Sequence, residues 1–172
     1  RRVLFRSAHL SATGGGVIGD SATIGSGSFD IARLSAGGCI AAVDAVMAGQ
    51  VRNAYALVRP PGHHAEADQG RGYCVFGNLV IAVRHAKRVH GLRRIAIVDW
   101  DVHHGNGTET AFLEDPSVLT ISIHQDRLYP VDRGQLSETG RGEGAYTNLN
   151  IPLPGGSGHG AYLAAFDEVI IP

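Results

Sequence analysis

The sequence predicts an α/β fold, a three-layer α/β/α arrangement around a mostly parallel sheet that is incomplete at its C-terminal end. Three observations carry this expectation. Short apolar runs of strand length alternate with longer stretches whose apolar residues recur at helical spacing. One run, Ile95-Ala96-Ile97-Val98, has no polar alternation, the pattern of a strand buried on both faces of a parallel sheet. Glycine and proline clusters punctuate the junctions. With 172 residues the chain can bury one domain core.

Residues 1–7, RRVLFRS, fit poorly with the rest of the chain and read as the translation of a sequencing-adapter oligonucleotide. They are expected to be a non-native scar ahead of a partial domain over 8–172. Residues 8–30 are rich in Gly, Ser and Thr without periodicity, which predicts loop. The spacing of Ile31, Leu34, Ile40, Val43, Val46 and Met47 predicts a buried helix over 30–48, stopped by Gly49. Residues 54–59 predict a short apolar strand ending at Pro60-Pro61-Gly62. A helix is predicted over 75–90, with Leu79, Val80, Val83 and Val89 inward and Gly91 as its end. Strands are predicted over 94–99 and 118–124, with a short helix over 108–113 between them. Residues 125–160 predict mostly loop, and a last helix begins near Ala161 with no strand after it.

Composition narrows the function classes. A hydrophobic share of 44% with 18% charged residues is globular and excludes a disordered chain. The net charge of -1 and a pI near 6.8 lack the basic excess of a nucleic-acid binder, so no direct nucleic-acid partner is expected. Cys39 and Cys74 are too few for a disulfide framework and read as reduced thiols of a cytoplasmic protein. No run approaches the roughly 18 apolar residues of a membrane span, and no signal peptide is visible, so no membrane partner is expected.

Two constellations carry chemistry. Asp99-Trp100-Asp101-Val102-His103-His104-Gly105-Asn106-Gly107 comes directly after the 94–99 strand. In an extended chain Asp99, Asp101 and His103 point the same way. Carboxylate and imidazole on one face suit a catalytic zinc, which commonly takes three such ligands and keeps a position open for water. A solvated strand end with Asp and His as turn residues is the alternative. The second is Arg59-Pro60-Pro61-Gly62-His63-His64-Ala65, also after an apolar run. Sites in open parallel sheets form beyond the carboxyl ends of the strands. Adjacent imidazoles could act as general base and electrostatic partner near neutral pH. Gly70-Arg71-Gly72-Tyr73-Cys74 and Tyr129-Pro130 could wall a narrow pocket, although an aromatic on a loop is more often turn or core filler.

RPPGHHA, GYCVFGN, DWDVHHGNGT and SIH, in this order and spacing, resemble the histone deacetylase family, its class II and bacterial branch more than class I. The resemblance runs from about residue 12 to 172 and implies an arginase/deacetylase-like fold and a metal-dependent amidohydrolase. It implies that Asp101 and His103 are zinc ligands, with Fe²⁺ as the other candidate ion. His63 and His64 would be the catalytic pair, His64 the general base. Asp99 would orient His63 and line a K⁺ site completed by Ser122 and the backbone of Asp101, His103 and Ile123. Asn106 would orient His64. Gly72 would contact the substrate, and Tyr73 and Tyr129 would flank the acyl-lysine tunnel. The implied partner is an acetylated lysine or an acetylated polyamine. The family's third zinc ligand, an Asp, and its oxyanion tyrosine lie further downstream than residue 172, which reads as truncation, and the fragment by itself is expected to be inactive. The related two-manganese ureohydrolases need an Asp where Gly105 stands, so that reading is disfavoured. An acyl-binding protein without activity is the remaining rival.

Overall fold

The computed structural model describes residues 2–171. They form two compact units that divide between Arg93 and Arg94.

The first unit opens on helix α1, Arg2–Ala12, which leads into an antiparallel hairpin of β1, Gly15–Gly19, and β2, Ala22–Gly25. Over residues 8–30 both features depart from the loop expected there. The residues set aside as a scar are helical from Arg2 on, and Val3 and Ser7 are buried. The stretch expected to be loop is a hairpin whose glycines permit close backbone approach: a Cβ on Gly15 would collide with the Ile24 carbonyl oxygen. Val3, Ile18, Ala22, Ile24, Ala32, Val75 and Phe76 make the core, with Leu10 and Phe29 packed against it.

Helices α2, Ser28–Met47, and α3, Asn78–His90, pack against one another. The buried stripe of α2 is Ala32, Ser35 and Ala36, whereas Ile31 and Leu34, expected inward, are exposed. On α3, Asn78, Ala82, Val83 and Ala86 face inward, and Leu79 and Val89 do not. Small residues thus set the helix contact, and the large apolar side chains sit outside it. The predicted strand over 54–59 has no ladder partner among the described residues, and Tyr55 and Leu57 are exposed.

The second unit carries a three-stranded parallel sheet in the order β3-β4-β5. These are Ile95–Asp99, Val118–Gln125 and Asn148–Leu153. Helix α4, Asn106–Phe112, makes the crossover from β3 to β4. Central β4 is buried almost throughout, including Val118, Ile121 and Ile123. β3 lies at the edge of this sheet, so of its apolar residues only Ile97 is fully buried, fewer than the sequence pattern predicts. β5 falls inside the stretch expected to be loop. Helix α5, His159–Ala165, runs on into a π-helical turn over Phe166–Ile170.

Candidate active site

Within the second unit, β3 ends at Asp99 and the chain turns at once. The Asp101 N–H donates to Asp99 Oδ1 at 3.1 Å, and the His103 N–H donates to Asp101 Oδ1 at 2.8 Å. Asp99, Asp101 and His103 are therefore gathered by successive side-chain turns and not by a continued pleat, which corrects the extended-chain expectation. The turns bring His103 Nδ1 to 2.9 Å from Asp101 Oδ1, both side chains partly exposed. The two donors converge, as ligands of one ion must. They fit two of the three protein positions of a catalytic zinc. Among the described residues no third carboxylate, thiol or imidazole joins them in a common group.

Tyr129 flanks this pair, its ring edge-on to His103 at 6.3 Å, and its carbonyl accepts the His104 N–H at 3.2 Å. Asp99 and Ser122 are register partners across β3 and β4, and both line a cavity of about 10 Å³. That volume holds roughly one water-sized group. Ser122 Oγ also lies 2.9 Å from His124 Nδ1. Asn106 is fully buried at the start of α4.

Beneath this rim lies a polar cluster that sequence reasoning missed. The buried Glu109 carboxylate accepts from Asn148 Nδ2 and Asn150 Nδ2, each at 2.8 Å, and from Arg133 Nη2 at 3.1 Å. His104 Nε2 lies 3.2 Å from it. Burial pushes the Glu109 pKa up, but His104, Asn150 and Asn148 outweigh burial and hold it at about 2. Burial, reinforced by the neighbouring His104, holds His124 below the usual imidazole range. An acidic residue on the inward side of α4, just after the His-rich turn, was the available signal.

In the first unit the rings of His63 and His64 lie 4.0 Å apart, His64 buried and His63 half-buried. Their loop is held from behind. The Pro60 carbonyl accepts from Ser35 Oγ at 2.8 Å and from Asn78 Nδ2 at 2.9 Å, and Asn78 Nδ2 also donates to Ser35 Oγ. Ser35 and Asn78 escaped sequence reasoning because each sits in a helix otherwise read for its apolar side chains. Gly72 and Tyr73 hang on the hairpin, their N–H groups donating to the Asp20 and Ser21 carbonyls at 3.0 Å. Tyr73 has φ 65°, a left-handed backbone, and a largely exposed ring. Gly19 is required beneath this loop, since a Cβ there would collide with the Gly70 carbonyl oxygen.

The histone deacetylase domain model matches residues 5–172. The chain belongs to the histone deacetylase family. This histone deacetylase family member is 49% identical over 169 residues to a histone deacetylase-like amidohydrolase of Pseudomonas aeruginosa, covering 98% of this chain and 44% of that protein. It is 51% identical over 150 residues to the chloroplastic histone deacetylase 14 of Arabidopsis thaliana, covering 84% of this chain and 35% of that one. A rat polyamine deacetylase, HDAC10, is 48% identical over 149 residues, covering 84% of this chain and 25% of the relative. Among solved structures, the HD domain of HDA15 superposes with a TM-score of 0.95 at 35% identity, covering 99% of this chain and 50% of that chain. The α/β fold is therefore that of a deacetylase domain. The chain spans less than half the length of these curated relatives.

Proposed function

We propose that the protein to which this chain belongs is a zinc-dependent hydrolase that removes acetyl groups from acetyl-lysine-type amides. The observation that carries the reading is the Asp101–His103 donor pair, 2.9 Å apart in the turn that leaves β3. Zn²⁺ suits this set, and Fe²⁺ is the alternative ion, since affinity order alone does not select between them. When bound, such an ion polarises an amide carbonyl and lowers the pKa of a water. His64 takes the proton from the attacking water and delivers it to the departing amine, so hydrolysis balances to acetate and free amine. His63 stabilises charge beside it. Asp99 and Ser122, which share a cavity wall, support a monovalent cation such as K⁺. Gly72, Tyr73 and Tyr129 line the path of the acyl arm. The acetyl-lysine reading is favoured over acetylpolyamine, and a comparison of the two substrates separates them.

Cys39 and Cys74 are not joined in a disulfide, which fits a reducing cytoplasm. No helix among the described residues is long and apolar enough to cross a membrane.

The deciding experiment is metal analysis and turnover of full-length Asp101→Ala and His103→Ala variants with an acetylated peptide. Both quantities should fall together. Full metal content with full turnover in both variants would remove the metal assignment.

A further inference from the structure

A second set of donors lies in the first unit, and the deacetylase reading makes no use of it. Asp44 sits in the last turn of α2, His85 lies in the body of α3, and His90 is the last residue of α3. Asp44 Oδ1 is 2.6 Å from His85 Nε2 and 2.7 Å from His90 Nε2. All three donor atoms lie within 4.8 Å of one another. The two imidazoles meet edge to face at 5.6 Å. Both rings are mostly buried, at 16% and 22% exposure, while the carboxylate is 47% exposed. The trio therefore opens to solvent on one side and is walled by the helices on the other.

Two imidazole nitrogens and a carboxylate oxygen form a donor set for zinc, with the solvent side free for a water as fourth ligand. Imidazole favours zinc, copper or nickel over magnesium and calcium, which prefer oxygen. The ligands come from two helices that already pack together, so an ion here is a cross-link. Arg84, Lys87 and Arg88 on α3 add positive charge nearby. The negative ends of two helix dipoles act in the opposite sense, because Asp44 and His90 both lie in C-terminal turns.

We propose that Asp44, His85 and His90 form a divalent transition-metal site of the zinc class that ties the C-terminal turn of α2 to α3. The site is independent of the proposed catalytic one. Binding to the folded state alone stabilises it by mass action, so the ion should raise the melting temperature.

The test uses the full-length protein carrying Asp101→Ala and His103→Ala, so that the proposed catalytic donors are gone. Titration with Zn²⁺ under equilibrium dialysis should still fill one site, and the melting temperature should rise with Zn²⁺. Loss of even an outer-shell partner weakens metal sites by about 10–100-fold, so adding His90→Ala should weaken this site at least about tenfold and abolish the thermal response. Asp44→Asn, which keeps the shape of the side chain, should do the same and guards against a folding defect in the histidine variant. In the otherwise native protein His90→Ala should leave deacetylase turnover unchanged. Equal zinc affinity and equal thermal response with and without His90 and the Asp44 carboxylate would overturn the site and leave a hydrogen-bonded staple between two helices.

Discussion

At the scale of single residues, the candidate site divides its work between charge and position. His64 is buried against His63 on a loop whose Pro60 carbonyl is clamped by Ser35 and Asn78. In the general-base role proposed for His64, a positioned side chain contributes about 10²–10⁴-fold to rate. His64→Ala should therefore lower turnover of an acetyl-lysine peptide by that order while metal content stays at the wild-type level. An unchanged rate would take His64 out of the proton-transfer role. Asp101 and His103 are different in kind, since their loss should empty the metal site as well as stop the reaction. Asp101 also shapes the turn through the His103 N–H, so Asp101→Asn should disturb the backbone less than Asp101→Ala.

At the scale of elements, the connection between β4 and β5 is held by one glycine against two histidines. Gly134 has φ 82°, its carbonyl accepts from His124 Nε2 at 2.9 Å, and a Cβ would stand 2.5 Å from that nitrogen and 2.8 Å from His104 Cγ. Left-handed strain costs about 1–2 kcal/mol and overpacking about 1–3 kcal/mol. Gly134→Ala should thus destabilise the protein by at least about 2 kcal/mol, read as a shift of the urea midpoint. A midpoint within error of wild type would show that the loop relaxes freely. The same region shows where the sequence was legible and where it was not. β3, β4 and α3 announced themselves by apolar runs and period. β5 did not, because Asn148, Asn150 and Pro152 are poor strand formers. Asn148 and Asn150 are accepted there because Glu109, distant in sequence, receives both amides. The hairpin β1–β2 hid behind its glycines. The apolar residues of 54–59 suggested a strand, but pattern cannot supply a ladder partner. In α2, periodicity marked a helix correctly but misplaced its buried face, since small residues and not large ones make the contact. For the site, Asp101 and His103, which the structure brings to within 2.9 Å of each other, stood two residues apart in the sequence, whereas Ser35, Asn78 and Glu109 act across the fold and left only weak local marks.

At the scale of the whole molecule, near-neutrality conceals two opposed halves. Up to Arg93 the chain has eleven Lys/Arg against five Asp/Glu, and from Arg94 onward four against eleven. Acidification therefore relieves repulsion among many carboxylates of the second unit while it attacks one favourable site, Glu109. The Glu109 pKa falls from 4.5 to about 2 on folding. A depressed carboxyl stabilises the fold above its unfolded value, and that stabilisation is lost as pH falls from about 4.5 through about 2. The difference corresponds to roughly 3 kcal/mol at neutral pH. Glu109→Gln should accordingly be less stable than wild type at pH 7, and the gap in urea midpoint should close steadily between pH 4.5 and 2. A gap independent of pH would assign the effect to packing and not to charge. Comparing the two proteins at each pH cancels the remaining carboxylates.

The left-handed backbone of Tyr73 offers an experimental convenience. A bulky residue at positive φ is strained by about 1–2 kcal/mol, whereas glycine there is unstrained but releases more chain entropy on unfolding, about 0.5–1 kcal/mol. The relief of strain matches or modestly exceeds the entropy cost, and the largely exposed ring gives up little packing. Tyr73→Gly should therefore have a melting temperature close to wild type. Any rise in KM for an acetylated peptide would then report the aromatic wall proposed for Tyr73 alone, uncontaminated by damage to the scaffold. Few positions in an enzyme allow a contact to be erased so quietly.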